Sequence, residues 1–331
     1  MDSPLISIII PTCGRPEMCL RAVQSALSQT YREIEVIVVN DGADAATAEV
    51  LRRQTDPRLK VIELLTRMGG SFARNRGFEA SQGELIAFLD DDDEWFEHKL
   101  ERQLNAINHA PNPTNTIISS RVIRQTCKTW AVIPQTLYNQ QTPLAEYLFC
   151  LGSIYDARVM TTSTFLLSRS LFSRISFCPN LKKHDDWDFA LRANVIHHAE
   201  IRIVPEPLVI WHHDHDHPHV GSVPDWRFSF NWMKNNSQLF TPISRVAFLL
   251  TVVAPPPTRL PWILYFVAKN RSGITIPLIW YVILCRKWAL HGSGWVKSTL
   301  RRLGIFSRRH RSLASDWQDS STDRTIVSQH V

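Results

Sequence analysis

LIAFLDDDD, residues 85–93, places a short apolar run directly before four consecutive aspartates. Such a run is typical of a strand that is buried on both faces of a parallel sheet. Two similar runs precede it in the chain, LISIII (Leu5–Ile10) and IEVIVV (Ile34–Val39), and Leu59–Leu64 (LKVIEL) is predicted as a further strand between them and residue 85. Helical patterns separate these runs. The alternation of strands and helices predicts right-handed crossovers and an α/β fold with a mostly parallel sheet.

The chain after residue 95 has a weaker pattern. Apolar pieces at Thr116–Ile118 and Thr164–Leu167 could extend the sheet, and His184–Asn194 has a helical pattern that opens with acidic residues. Two further strands are expected at Ile201–Val204 and Leu208–Trp211. A chain of 331 residues without repeats can bury a full core, so the sequence predicts a folded protein.

The aspartates of residues 90–93 follow a predicted strand, at the edge of a parallel sheet where ligands bind. Four adjacent carboxylates repel one another unless a positive charge binds them. Hard oxygen ligands favour Mg²⁺ or Mn²⁺, and such ions keep positions for phosphate oxygens, which makes a nucleotide diphosphate the natural ligand. The alternative is a solvated acidic turn that stabilises the start of the next helix.

Residues 5–100 resemble family 2 glycosyltransferases, which have the GT-A fold. The resemblance rests on SIIIPTCGRP, SALSQTYREIEVIVVNDGADAAT and GGSFARNRGFEASQGELIAFLDDDDEWFEHKL, and it extends more weakly to HDDWDFALR. It implies a Rossmann-like nucleotide-diphospho-sugar transferase domain over residues 1–225. Asp90 and Asp92 would match the family's DxD motif, with Asp92 as the direct metal ligand and Asp91 near the ribose.

The resemblance also implies which residues bind the donor. Pro11 and Thr12 would lie near the nucleoside, and Asp41 would accept a hydrogen bond from the base, as the family's carboxylate does toward uracil. Arg74 would lie close to the donor. Because Cys13-Gly14 departs from the family's usual residues, the metal is better supported than the choice of base, which we expect to be uracil.

HDDWD, residues 184–188, resembles the motif whose carboxylate deprotonates the acceptor hydroxyl. The resemblance implies Asp186 as this base and Asp185 as the supporting acid. A base opposite the departing diphosphate gives single displacement, which inverts the anomeric centre. The alternative is that these acids only stabilise a helix N-terminus, the role we expect for Asp188.

Histidines cluster at positions 212, 213, 215, 217 and 219. A zinc site is one interpretation, but the intervening Asp214, Asp216 and Pro218 favour a solvated loop that covers the bound donor. In related transferases a histidine after the last core strand can reach the metal or the diphosphate. His213 is our candidate for that role.

The segment from residue 226 to residue 315 has fourteen Lys and Arg residues, six tryptophans and no Asp or Glu, although the whole chain has a net charge of only +6. Basic residues interleaved with Trp favour a membrane surface. Its apolar stretches, Val246–Thr258 and Ser272–Cys285, are shorter than the roughly 18–20 residues of a spanning helix. We therefore expect a membrane-apposed helical extension over residues 226–311 and a polar tail over 312–331.

Three other roles for this basic extension stay open at this stage. It could hold the pyrophosphate of a lipid-linked acceptor, pack on the catalytic domain, or form a dimer. Nucleic acid is not expected as a partner, since no recognised module accompanies the charge. Six scattered cysteines and the absence of a secretory signal predict reduced thiols and a cytoplasmic enzyme on the inner face of the membrane.

The sequence thus predicts metal-dependent, inverting transfer of a sugar from a nucleotide donor, expected to be UDP-linked, to a glycan or lipid-linked saccharide. One alternative is a nucleotidyltransferase that makes the activated sugar, but PTCGRP lacks the Gly-rich, Lys-bearing loop that it would need. Another is a membrane-associated nucleotide- or glycan-binding protein without catalysis. The presence of Asp90, Asp92 and Asp186 argues against it.

Overall fold

Parallel strands form the first part of the sheet, as the apolar runs predict. In this computed structural model, residues 3–127, 129–150, 158–212 and 225–253 are described. The first strands are β1 (Ile6–Thr12), β2 (Ile34–Asp41), β3 (Leu59–Leu64) and β4 (Leu85–Phe88). The helices between them are α1 (Pro16–Leu27), α2 (Ala45–Arg52) and α3 (Gly70–Ala80). All three pairings among these strands are parallel, so β1, β2 and β4 end at one edge of the sheet.

The later strands complete a mixed sheet. The remaining strands are β5 (Glu94–Trp95), β6 (Thr116–Gln125), β7 (Trp130–Ile133), β8 (Leu166–Ser168) and β9 (Glu200–His212). The remaining helices are α4 (Lys99–Asn108), α5 (Leu144–Phe149), α6 (Arg169–Ile175), α7 (Asp185–Val195), α8 (Trp226–Asn235) and α9 (Pro242–Phe248). The order is β3-β2-β1-β4-β8-β6-β9-β5, with β7 on β6, and β8 is antiparallel to both β4 and β6.

One strand replaces the two that were expected around Pro205 and Pro207. Strand β9 runs parallel to β6 through both prolines, and the register shifts at Arg121 of β6. Proline cannot donate to the ladder, and such an irregularity accommodates it. The two apolar pieces are therefore parts of a single strand that returns to the edge near the acidic turn.

Helix α3 packs closely against the parallel strands. A Cβ atom at Gly77 would lie 2.5 Å from Cγ2 of Ile9, so only glycine allows this distance between helix and sheet. Strands β1 and β2 are buried along their whole length, as expected for a sheet covered on both faces. This packing fixes α3, and therefore Arg74, above the carboxyl ends of the strands.

The chain divides into two compact units, Met1–Ala247 and Phe248–Val331. Helix α8 belongs to the first unit. In the second unit, Leu249–Val253 form one π-helical turn. The domain division at residue 225, the helical extension over 226–311 and the tail over 312–331 stay predictions, since residues 254–331 lie outside the described residues.

Two general expectations can be compared with the described part of the chain. The five cysteines in that part are free thiols. None of the helices described there combines the length and the apolarity that crossing a membrane requires.

Candidate active site

A cavity of about 780 Å³ lies at the carboxyl ends of the parallel strands. Most of the residues predicted for the site line this cavity: Pro11, Thr12, Asp41, Arg74, Asp90, Asp91, Asp92 and Asp185. Of the two other predicted residues, Asp186 is the neighbour of Asp185, and His213 lies outside the described residues. The fold thus brings together segments that are more than 100 positions apart in the chain, as the Arg74–Asp185 pair shows.

Arginines neutralise part of the acidic turn that follows β4. Nη2 of Arg74 donates to Asp90 Oδ1 over 2.5 Å. Nη1 of Arg15 lies 3.1 Å from Asp91 Oδ1 and 3.0 Å from Asp92 Oδ2. Four adjacent aspartates predict positive charge at this turn, which is expected from a divalent cation. Two guanidinium groups supply part of that charge, and one of them belongs to Arg15, which is not among the predicted site residues.

The four aspartates of the turn separate into two environments. Asp90, Asp91 and Asp92 line the cavity. Asp93 is buried, and its carboxylate accepts a hydrogen bond from Ser163 Oγ over 2.5 Å. The same hydroxyl oxygen accepts the backbone N–H of Asp90. Burial, followed by the charges of Asp92 and Asp90, raises the pKa of Asp93 well above its usual value. Asp93 therefore anchors the turn in the core.

Asp91 occupies an intermediate position between cavity and core. Its side chain is 9% exposed, and Thr12 Oγ1 donates to its Oδ2 over 2.8 Å. Burial and the charge of Asp92 raise the pKa of Asp91 to about 6, although Arg15 and Thr12 oppose this shift. The ends of β1 and β4 are thereby joined at the point predicted for the ribose.

Asp41 is fixed at the end of β2 by backbone groups. Its two carboxylate oxygens accept the backbone N–H groups of Met68, over 2.6 Å, and Gly69, over 2.7 Å. Gly69 has φ of 94°, a conformation that favours glycine. A carboxylate has about four acceptor positions, so these two bonds leave capacity for a further donor such as a base N–H.

Two acidic stations face the cavity: Asp90 and Asp92 in the turn after β4, and Asp185 at the start of α7. Arg74 connects them. Its side chain is 8% exposed, and Nη1 donates to Asp185 Oδ2 over 2.7 Å while Nη2 binds Asp90. The guanidinium carbon lies 5.2 Å from the centre of the Phe177 ring. The rigid guanidinium fork therefore fixes the distance between the strand-end turn and the start of α7.

The predicted base lies in the first turn of α7. Asp186 is half-buried, and its Oδ1 accepts the backbone N–H of Trp187 over 2.8 Å. Burial, followed by the charge of Asp185, raises the pKa of Asp186 to about 8. A general base works best with a pKa near the operating pH. The raised pKa of Asp186 is thus compatible with the predicted role, whereas the acid of this helix turn that lines the cavity is Asp185.

Helix α8 holds the N-terminus of α7. His184 has φ of 69°, is buried, and places Nε2 2.8 Å from Ser229 Oγ. Its ring stacks on Trp187 with 4.9 Å between centroids. Burial, followed by the charge of Lys183, lowers the pKa of His184 to about 3, so the ring is neutral.

Asp188 has more contacts than its predicted role at the helix N-terminus would need. The buried carboxylate accepts from Trp232 Nε1 of α8 over 3.1 Å and from Arg192 Nε over 2.7 Å. Asp188 therefore joins α7 to α8. The local pattern of α7 predicts an acid at a helix N-terminus and does not indicate a partner on α8.

The donor set at the turn fits a cation that enters with a phosphate ligand. No group of three His, Cys, Asp or Glu side chains in the described part of the chain is arranged to hold a metal by itself. Asp90 and Asp92 do line the cavity, and their side chains are 29% and 25% exposed. Mg²⁺ is usually held by one or two carboxylates together with substrate phosphates and water.

Comparison with known proteins agrees with this architecture. The family described as glycosyl transferase family 2 matches residues 7–176, about half of the chain. One relative, the amylovoran biosynthesis glycosyltransferase AmsB of Erwinia amylovora, is 33% identical over 214 residues, covering 62% of this chain and 69% of the relative.

Two solved structures have the same fold. One is the mannosyltransferase PcManGT of Pyrobaculum calidifontis in complex with GDP-Man and Mn²⁺, with a TM-score of 0.55 and 18% identity over 91% of this chain and 84% of that chain. The other is S. aureus TarS in complex with UDP-GlcNAc, with a TM-score of 0.54 and 16% identity over 85% of this chain and 78% of that chain. At these identities the likeness shows the fold, and it confirms the predicted GT-A architecture.

Proposed function

Since the chain belongs to glycosyl transferase family 2 and is a glycosyltransferase, we propose that it moves a sugar from a nucleotide-diphosphate donor to a hydroxyl of a glycan or lipid-linked saccharide. The observation that carries the proposal is the pairing of two acidic stations across one cavity. Asp90 and Asp92 lie at the strand ends, Asp185 lies at the start of α7, and Arg74 binds both sides. This arrangement suits a leaving diphosphate on one side and a proton acceptor on the other.

On the donor side, Asp90 and Asp92 would hold Mg²⁺ or Mn²⁺ together with the diphosphate. When bound, this cation neutralises the negative charge that develops on the leaving group. Pro11, Thr12 and Asp91 line the same cavity, where Pro11 and Thr12 would contact the nucleoside and Asp91 the ribose. The PcManGT structure contains Mn²⁺, which supports the choice of metal.

We propose UDP as the nucleotide because Asp41 can accept a single base N–H, as uracil offers. The buried carboxylate already accepts two backbone N–H groups, which hold it in a fixed position. TarS has been solved with UDP-GlcNAc and PcManGT with GDP-Man, so a GDP-linked donor is the direct competitor.

On the acceptor side, Asp186 would take the proton of the attacking hydroxyl, and Asp185 would support it. The hydroxyl oxygen bonds to the anomeric carbon as the bond from that carbon to the diphosphate breaks, and the anomeric centre inverts. Arg74 binds Asp185 and Asp90, so one side chain holds the start of α7 and the acidic turn together, which would help to position the acceptor hydroxyl against the donor.

The product is a glycan, with cell-surface polysaccharide synthesis as the setting. The relative AmsB is named for amylovoran biosynthesis, which supports this class of acceptor. The basic, Trp-rich extension would hold the enzyme as a peripheral protein on the inner, cytoplasmic face of the membrane, where a lipid-linked acceptor is available.

A panel of nucleotide sugars tests the proposal. Purified full-length protein is incubated with UDP- and GDP-linked hexoses and Mn²⁺. Binding is measured as a rise in Tm and turnover as released nucleoside diphosphate, with Asp92→Asn as the matched variant. We expect release from one UDP-sugar, and loss of that release in the variant or on addition of EDTA. Binding and release limited to GDP-sugars would reject uracil, and the absence of both with every nucleotide sugar would reject the proposed function.

A further inference from the structure

Arg15 lies in the loop between β1 and α1, directly after Gly14, which has φ of 65°. Its side chain lines the cavity and is 31% exposed. Both of its ion pairs in the described part of the chain, with Asp91 and with Asp92, use the single nitrogen Nη1. Arg15 is therefore bound to the acidic turn by one corner of its guanidinium group.

The two arginines of the turn differ in how firmly they are held. Arg74 is 8% exposed, binds two carboxylates through two different nitrogens and lies against Phe177. Arg15 is about a third exposed and presents one nitrogen to both of its partners. An incoming ligand can therefore displace Arg15 from its carboxylates more easily than it can displace Arg74.

Asp92 is one of the carboxylates that would hold a cation, and Arg15 is an ion-pair partner of it. A divalent cation that binds there alone meets the positive charge of this arginine, and the repulsion weakens its affinity. A diphosphate brings phosphate oxygens, which guanidinium groups bind in bidentate geometry. Its arrival gives Arg15 an alternative partner and removes the repulsion between this arginine and a cation at Asp92.

We propose that Arg15 is an exchangeable counter-ion, which holds Asp91 and Asp92 in the free enzyme and turns to the diphosphate when the donor binds. As a consequence, the divalent cation binds tightly only together with the nucleotide. This inference rests on the proposed function. It adds a residue outside the predicted site and a reason why metal and nucleotide depend on each other.

Titration of the full-length protein with Mn²⁺ tests this role, with free Mn²⁺ measured by electron paramagnetic resonance in the absence and in the presence of UDP. For the wild type we expect affinity for Mn²⁺ to rise about tenfold or more with UDP, within the usual range of coupling between ligands. In Arg15→Gln we expect tighter Mn²⁺ binding without UDP, weaker UDP binding at saturating Mn²⁺, and a smaller ratio between the two Mn²⁺ affinities.

Two further variants sharpen the test. Arg15→Lys keeps the charge but cannot bind phosphate in bidentate geometry, so it should keep weak Mn²⁺ binding without UDP and lose part of the UDP affinity. Arg53→Gln removes an arginine from a pair with Glu49 that is exposed and far from the turn in sequence, and it should behave as wild type.

Three outcomes would overturn the inference. If the wild type binds Mn²⁺ with UDP but Arg15→Gln leaves the affinity without UDP unchanged or weaker, Arg15 is only a structural ion pair and the proposed function stands. Equal Mn²⁺ affinity of the wild type with and without UDP would likewise remove only this inference. If the wild type binds no Mn²⁺ even with UDP, the metal in the proposed function falls as well.

Discussion

Arg74 and Asp185 lie 111 positions apart in the chain, and Nη1 of the arginine donates to Oδ2 of the aspartate over 2.7 Å. The second terminal nitrogen of the same guanidinium binds Asp90, which follows β4. One side chain therefore joins the turn proposed for the leaving diphosphate to the helix that carries the proposed base. Substitutions at this position should affect both halves of the site.

We predict that Arg74→Gln lowers both stability and donor binding. Removing a buried guanidinium leaves Asp90 and Asp185 without this partner, and because both carboxylates are partly exposed, a loss of about 1–3 kcal/mol in the free energy of unfolding is expected. Denaturant unfolding and UDP titration measure the two effects. Arg76→Gln is the control, because Arg76 is on the same helix and its pair with Glu79 is exposed. Equal behaviour of the two variants would contradict the joining role of Arg74.

We predict that Asp92→Ala abolishes the metal-dependent protection of the protein by UDP. A ligand at one hundred times its Kd stabilises the folded state by about 2.7 kcal/mol, so protection is measurable as a rise in Tm. Glu97→Gln, a substitution at an exposed carboxylate close to the turn in sequence, should retain the rise. A Tm rise with UDP and Mn²⁺ that persists in Asp92→Ala would reject Asp92 as a metal ligand.

We predict that Asp186→Asn binds the donor but does not transfer the sugar. The base must be deprotonated, and its pKa is raised to about 8 by burial and by Asp185, so wild-type turnover should increase with pH up to about that value. Turnover with the donor found in the panel, measured from pH 6 to roughly 9, checks the profile. Loss of turnover in Asp185→Asn but not in Asp186→Asn would move the role of base to Asp185, the acid that lines the cavity.

The raised pKa of Asp186 also predicts how the stability of the wild type and of Asp186→Asn should differ as the pH changes. Because the pKa of Asp186 is raised from 3.8 to about 8, the folded state binds more protons than the unfolded state between these values. The wild type therefore loses stability through Asp186 as the pH rises across this window. Asp186→Asn should avoid that loss, so its advantage in Tm over the wild type should grow toward pH 8 and then level off. An advantage that is constant or shrinks with pH would contradict the raised pKa.

We predict that Ser229→Ala destabilises the catalytic unit by about 1–2 kcal/mol, because the buried His184 loses the hydrogen bond between its Nε2 and Ser229 Oγ. Ser173→Ala removes an exposed hydroxyl whose bond to Ser170 is local, and it should be close to neutral. Urea unfolding of both variants gives the comparison. If Ser229→Ala is also neutral, the contact between His184 and Ser229 does not contribute to holding the start of α7.

We predict that a chain ending at Val253 loses binding to anionic vesicles, because most of the basic residues after residue 225 are removed with residues 254–331. Binding of the full chain should fall as salt is added, since attraction to headgroups is screened. Sedimentation with vesicles that contain phosphatidylserine measures both effects. A shortened chain that still sediments with the vesicles would refute the membrane role of this segment.

The first four strands and the position of the acidic turn could be predicted from the sequence, because they depend on local pattern. Apolar runs such as Leu85–Leu89 are buried whichever elements surround them, and parallel strands place their carboxyl ends at one edge. The resemblance of residues 5–100 to family 2 then gave a set of site residues that largely lines one cavity.

The ion-pair partners of the site residues, and the contacts that hold the site in place, could be identified only in the tertiary structure. Arg15 reaches Asp91 across 76 positions and Arg74 reaches Asp185 across 111, and local sequence does not indicate either partner. Tertiary packing also decides three other features. They are the burial of Asp93, the continuity of β9 through two prolines and the contact of α8 with α7. Burial preference is a property of a segment and can be read along the chain. The partner of a charged or polar group depends on which distant segments the packed core brings within a few ångströms of it.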